Sequence, residues 1–128
     1  MGKRIVAAGI RPSLIASSPA VRAWTTAKAV ATEIGYPLEF LLREDDLYLA
    51  PLSRWLDVVA GQDAAFNNLM LFGHNPGLTD FANYLVPGLT GNVPTAGVVA
   101  VEFEADDWSL RERPDVGLKL YDYPKKPR

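Results

Sequence analysis

Two short apolar runs, Leu14-Ile15-Ala16 and Leu69-Met70-Leu71-Phe72, each break abruptly into a polar turn that opens a helix, and this repeated junction constrains the fold most. After the first run, Ser17 and Ser18 precede Pro19. That order predicts a strand-to-helix turn with a serine N-cap and proline at the first helical position. The helix then extends from about Ala20 to Ile34, because Val21, Ala27, Val30, Ala31 and Ile34 recur at helical spacing and Gly35 supplies a stop. After the second run come Gly73-His74-Asn75-Pro76-Gly77 and a helix from about Leu78 to Leu85. An uninterrupted apolar run such as Leu69 to Phe72 is the pattern of a strand buried on both faces. Strand-turn-helix units in series predict an α/β fold, a mostly parallel sheet with helices on both faces. Ligands of such sheets bind beyond the carboxyl ends of the strands, where both polar turns fall.

The remaining segments fit around these units. Met1 to Ala8, closed by Gly9, reads as the last turns of a helix with a glycine C-cap. Leu38 to Leu42 is a further apolar run, followed by the acidic Glu44-Asp45-Asp46. Pro51 to Ala60 is a helix with Leu52, Trp55, Leu56 and Val59 on one face and Gly61 at its end. A Pro/Gly/Thr/Asn loop over 87–97 leads to strands at Val98–Phe103 and Gly117–Tyr121. A chain of 128 residues accommodates one core, so a single domain is expected over 1–122, with a basic tail at 123–128.

Composition narrows the function classes. With 48% hydrophobic and 22% charged residues the chain has the balance of a folded domain. Its net charge is −2, and its basic residues are scattered apart from Lys125, Lys126 and Arg128, so no nucleic-acid partner is expected. Zero cysteines exclude a disulfide or a cysteine metal site, and one histidine excludes a multi-histidine zinc site within the chain, so neither a metal nor a cofactor is expected. Lys3 and Arg4 before Ile5-Val6-Ala7-Ala8-Gly9-Ile10 look like the start of a signal peptide, but Arg11 and Pro12 end the run short of the ~7–15 residues required. Nothing approaches the ~18 apolar residues of a membrane span. The expectation is a soluble cytoplasmic protein without a membrane partner.

The chemistry-bearing residues gather at the two junctions. Ser17-Ser18-Pro19-Ala20-Val21-Arg22 sets a helix N-terminus and a first-turn arginine at a strand end, a combination of amides, dipole and guanidinium suited to phosphate. A capped helix with a solvated Arg22 has the same residues. His74, the only histidine, follows an apolar strand and is suited to donating to a phosphoryl oxygen or to acid–base chemistry, with a structural histidine as the alternative. Asn75 is placed to orient its loop. Asp46 is a candidate general acid, although a solvated acidic loop is the better default reading of Glu44-Asp45-Asp46. Trp24, Trp55 and Trp108 read as packing residues.

Together these segments resemble the histidine phosphatase superfamily, nearest to the SixA-type phosphohistidine phosphatases. Leu14-Ile15-Ala16-Ser17-Ser18-Pro19-Ala20-Val21-Arg22-Ala23 with Thr26-Ala27 is similar to the family's "LI-x-SSPA-x-RA-x-QTA" segment, and Leu71 to Leu78 is similar to its "VGHNPGL" segment. Asp46-Leu47-Tyr48-Leu49-Ala50 resembles its "LY-x-A" stretch, and Pro94-Thr95-Ala96-Gly97 its "PT-x-G" loop. The resemblance implies a phosphoglycerate mutase-like fold and a pocket that holds phosphate between two arginines and two histidines. Arg22 and His74 are the implied second members of each pair, with Ser18 and Asn75 beside them. The first pair, an Arg-His-Gly motif ending the family's opening strand, has no counterpart, so the nucleophile and a central strand are expected to be missing through N-terminal truncation; Thr25 also replaces the usual glutamine. An empty central slot leaves backbone groups unpaired on both neighbours unless it is filled or avoided, for instance by strand pairing in a homodimer. The implied activity is metal-free removal of a phosphoryl group from phosphohistidine on a phosphorylated protein, or from a small phosphoester, through a phosphohistidine intermediate. The alternative is an inactive phosphate- or phosphoprotein-binding module.

Overall fold

A computed structural model describes residues 2–94, 97–110 and 114–124. The elements run α1 (Gly2–Ala7), β1 (Leu14–Ser17), α2 (Val21–Ile34), β2 (Leu42–Arg43), α3 (Leu52–Ala60), β3 (Leu69–Phe72), α4 (Gly77–Leu85), β4 (Val98–Glu102) and β5 (Gly117–Asp122). Single 3-10 turns at Leu38–Phe40 and Asp45–Leu47 flank β2. The class is α/β, with β1 at the centre of a three-stranded parallel sheet of order β2-β1-β3.

β4 and β5 form a separate antiparallel pair. The described strands thus make a parallel sheet with helices on both faces, as expected, and a separate antiparallel pair, and β3 and β4 are each paired on one side only. Both edges line one cavity of about 1370 Å³. That cavity also explains why β3 is half-buried along its length, where its apolar sequence predicted burial on both faces. The side of β3 away from β1 meets open space instead of another strand.

Helices cover the parallel sheet in two layers. β1 is buried throughout, and α2 packs on β1 and β3 with Ala23, Ala27 and Ala31 buried, small side chains that let the helix approach closely. On β3, Leu69 and Leu71 join the clusters built from α3 and α4, so strand alternation turns Met70 and Phe72 the opposite way. Val59 of α3, Leu85 of α4 and Leu110 form the centre of a cluster that includes Leu69 and Leu71 and also Val101 and Phe103. This cluster bridges the two sheets below the cavity. Arg4 of α1 ties that helix to the end of β5, donating to the Tyr123 carbonyl at 2.9 Å and pairing with buried Asp122 at 3.4 Å.

Helix ends account for two further differences from expectation. α2 starts at Val21 with Ala20 as its N-cap, a residue with no side-chain acceptor, while the Ser18 hydroxyl bonds His74 Nε2 and the Ala20 N–H. Gly35 ends α2 as expected, at φ 81°, where the Tyr36 N–H donates back to the Ala31 carbonyl at 2.8 Å. The apolar run 38–42 forms a 3-10 turn and only the two residues of β2, with Leu42 exposed.

Trp55 anchors the turn between β3 and α4. Its indole is buried and stacks on Phe81 with centroids 5.3 Å apart. It presses on Gly73 and Gly77 closely enough that neither has room for a side chain: a Cβ on Gly77 would lie 1.9 Å from the Ala50 carbonyl oxygen and 2.9 Å from Trp55 Nε1. Gly77→Ala is therefore expected to destabilise the fold by about 1–3 kcal/mol, the usual range for overpacking. Gly91→Ala, where a Cβ meets nothing within 4 Å, should stay within about 0.5 kcal/mol of the parent. Urea denaturation monitored by tryptophan fluorescence measures both, and equal midpoints for the two variants would contradict this packing.

Candidate functional site

The parallel register sets Ser17 opposite Phe72, so the chain leaves β1 and β3 side by side at their carboxyl ends. The Ser18 N–H donates across to the Phe72 carbonyl at 3.0 Å, extending the pairing one residue past β1. This fixes Ser18, which is fully buried, and brings its Oγ to 2.8 Å from His74 Nε2. Oγ also accepts from the Ala20 N–H at 3.2 Å. Because a hydroxyl both donates and accepts, Ser18 matches either tautomer of the ring.

His74 is held from two other directions. Its carbonyl accepts from the Leu78 N–H at 2.8 Å as α4 begins, and Tyr48 meets its ring edge-on, with centroids 6.0 Å apart at 76°. Tyr48 follows the 45–47 turn, which is anchored by the fully buried Leu47.

Asn75 sits at the centre of a local hydrogen-bond network. Its Oδ1 accepts from the Thr79 N–H at 3.1 Å and from the Thr79 hydroxyl at 2.6 Å. Its amide nitrogen donates to the Val93 carbonyl at 3.0 Å and to Asn92 Oδ1 at 3.3 Å. The Thr79 hydroxyl in turn accepts from the Val93 N–H at 2.9 Å. Asn75 thus spends its polar atoms tying residues 92–93 to the start of α4. Thr79 was not identified from the sequence, although its i+4 spacing from Asn75 was the available signal.

Arg22 lies exposed in the first turn of α2 and lines the same cavity as His74 and Asn75. Among the described residues, no side chain or carbonyl is bonded to its guanidinium. Asp46 is placed differently. It is exposed, lies 3.7 Å from Arg54 Nη1 in a surface ion pair, and is absent from the cavity lining. The structure thus sets Ser18 against His74, places Arg22, His74 and Asn75 on the lining of one large cavity, and leaves Asp46 off that lining. Pro94 and Gly97 line the crevice too, while Thr95, Ala96 and the tail residues Lys125, Lys126 and Arg128 lie outside the described residues.

Two residues at the crevice escaped sequence reasoning. Tyr48 lay within the stretch compared with the "LY-x-A" segment but had no assigned role. Leu49 lines the cavity at φ 48°, a conformation uncommon for a non-glycine residue, and no local sequence pattern announces it. Among the described residues no cluster of three or more metal-ligating side chains occurs.

The Ser18 contact is directly testable. Ser18→Ala removes the acceptor of the Ala20 N–H and the partner of the imidazole, and should lower stability by about 1–3 kcal/mol. It should also broaden or shift the His74 ring resonances in 15N NMR, and unchanged stability with an unchanged ring spectrum would show that the bond is not formed. No protein-family model and no curated protein matches the chain, so its chemistry is read from the geometry of Ser18, Arg22 and His74.

Proposed function

We propose that the crevice binds a phosphoryl group and serves phosphatase chemistry of the histidine phosphatase type, removing the group from phosphohistidine or a small phosphoester. The observation that carries this reading is the Ser18–His74 hydrogen bond at the carboxyl ends of adjacent parallel strands, with Arg22 on the same cavity. Three donor types would serve such a group. Arg22 offers a two-pronged guanidinium. The first turn of α2 has no side-chain cap, so its leading N–H groups remain available to an anion. His74 supplies an imidazole whose orientation Ser18 sets.

In the covalent route implied by the resemblance, an imidazole nitrogen attacks phosphorus and the bond to the leaving group breaks. Water then attacks the phosphohistidine and releases phosphate. One ring cannot both attack and stabilise the charge that builds on the phosphoryl oxygens. The 128 residues contain one histidine, and His74 is the stabilising member by resemblance. Turnover through this route therefore requires a second imidazole opposite His74. The single histidine also favours the second reading, a module that binds phosphate or a phosphoprotein without turnover.

The 128-residue chain should accordingly bind inorganic phosphate, with Arg22→Ala and His74→Ala each weakening binding by roughly tenfold or more, since a hydrogen bond to a charged group is worth about 1.5–3 kcal/mol. Calorimetric titration reads the affinities. Incubation with a phosphohistidine peptide or an aryl phosphate, followed by denaturing quench, should trap no phosphoenzyme. Absence of phosphate binding would end the phosphoryl reading, and phosphate trapped on His74 would overturn the division of roles.

A further inference from the structure

We propose that Tyr48 and Leu49 form a specificity lip beside His74, which selects the molecule that carries the phosphoryl group and takes a flat, uncharged ring in preference to a hydroxylated chain. This assignment rests on the phosphoryl reading and extends it from the group itself to its carrier. The segment 48–50 runs along the turn that holds His74. Tyr48 stands nearly perpendicular to the imidazole, with centroids 6.0 Å apart, and the Ala50 carbonyl oxygen lies so close to Gly77 that a Cβ there would be 1.9 Å away. Leu49, between them, lines the cavity together with Gly73, His74 and Asn75. A contact at each end thus fixes the segment beside the ring assigned to the phosphoryl group.

The backbone of Leu49 carries the case furthest. Leu49 sits at φ 48°, in the left-handed region where glycine or asparagine is usual, yet its side chain is 66% exposed. Leu47 and Ala50 on either side are buried in one cluster with Trp55 and Val58, so the core holds the backbone in that region. Holding it there does not require leucine. Glycine adopts the same φ without strain, and a leucine two-thirds in water gives little burial in return. The chain therefore bears a strained backbone and an exposed apolar side chain at one position on the cavity wall, and strain of this kind gathers at ligand clamps. Tyr48 next to it is 55% exposed, so a ring and a branched aliphatic chain adjoin with more than half of each open.

The two side chains specify the carrier. An aromatic ring gains by leaving water against Leu49 and by ring contact with Tyr48. A polyol on the same surface gives up water from its hydroxyls, and Leu49 has no polar atom to offer in exchange. Both cations of the 43–54 stretch are already paired, Arg43 with Asp45 at 2.9 Å and Arg54 with Asp46 at 3.7 Å, so the lip has no free cation for a second anionic group. The fitting ligand carries one phosphoryl group on an aromatic ring.

Calorimetric titration of the 128-residue chain with phenylphosphonate, methylphosphonate, hydroxymethylphosphonate and inorganic phosphate tests this. Phenylphosphonate is expected to bind at least tenfold tighter than methylphosphonate, a discrimination that apolar contact commonly supplies, and hydroxymethylphosphonate no tighter than methylphosphonate. Tyr48→Ser and Leu49→Gly should each reduce the phenyl-to-methyl affinity ratio at least threefold. Leu49→Gly should do so without lowering the urea midpoint, because glycine accepts φ 48° and little buried area is lost. Phosphate binding with equal affinities for the phosphonates, or a ratio that survives both substitutions, would overturn the lip and leave the phosphoryl reading standing. A lowered midpoint for Leu49→Gly with the ratio kept would show a leucine retained for the fold, which also overturns it. If neither phosphate nor any phosphonate binds, the lip and the phosphoryl reading fall together.

Discussion

The parallel pairing of β1 with β3 is the constraint on which the rest of the arrangement depends. Its register runs from Leu14 with Leu69 to Ser17 with Phe72, and Ser18 adds one more bond to the Phe72 carbonyl. A slip of one residue would turn every side chain of β1 to the opposite face and carry Ser18 away from His74. Burial enforces the register. Ile15, Ala16 and Ser17 are wholly inaccessible, so no neighbouring alignment preserves the same contacts. The functional geometry is therefore secured by the core and not by the loops themselves, whose own hydrogen bonds act only after the two strand ends have been brought together.

The second support is steric. Trp55 fills the space beneath the turn that carries His74, and Gly73 and Gly77 are the two points where that turn comes closest to it. Large and absent side chains are complementary here: the indole occupies the volume that the glycines vacate. The arrangement has a cost, because Trp55 Nε1 is buried without an acceptor among the described residues. An unmet donor of this kind opposes folding by about 1–3 kcal/mol. Stacking on Phe81 and the burial of the whole indole within the Leu47–Ala50–Val58 cluster offset it.

How much of this was legible in the sequence depended on whether a feature was local. The helix stop at Gly35, the strand at Leu69–Phe72 and the helices α3 and α4 followed from periodicity and punctuation, within a residue or two. Ser18 was read as the cap of α2, whereas its hydroxyl bonds the His74 ring as well as the Ala20 N–H ahead of the helix. The cap rule weighs only contacts within the chain segment, and it is overridden when a ring 56 positions away offers a 2.8 Å hydrogen bond. The apolar run 38–42 yields only a 3-10 turn and a two-residue strand, with Leu38, Phe40 and Leu42 exposed. Asp46, considered for its residue type, is exposed, lies 3.7 Å from Arg54 and is off the cavity lining. Pairing of distant edges lies beyond any local rule, so the division into two sheets was visible only as an expected gap.

That division and the crevice are physically linked through β3. The same strand lines the cavity along its open edge, binds Ser18 through the Phe72 carbonyl at its end, and continues directly into His74. A strand paired along one side only is restrained less than one paired on both, and its end frays first.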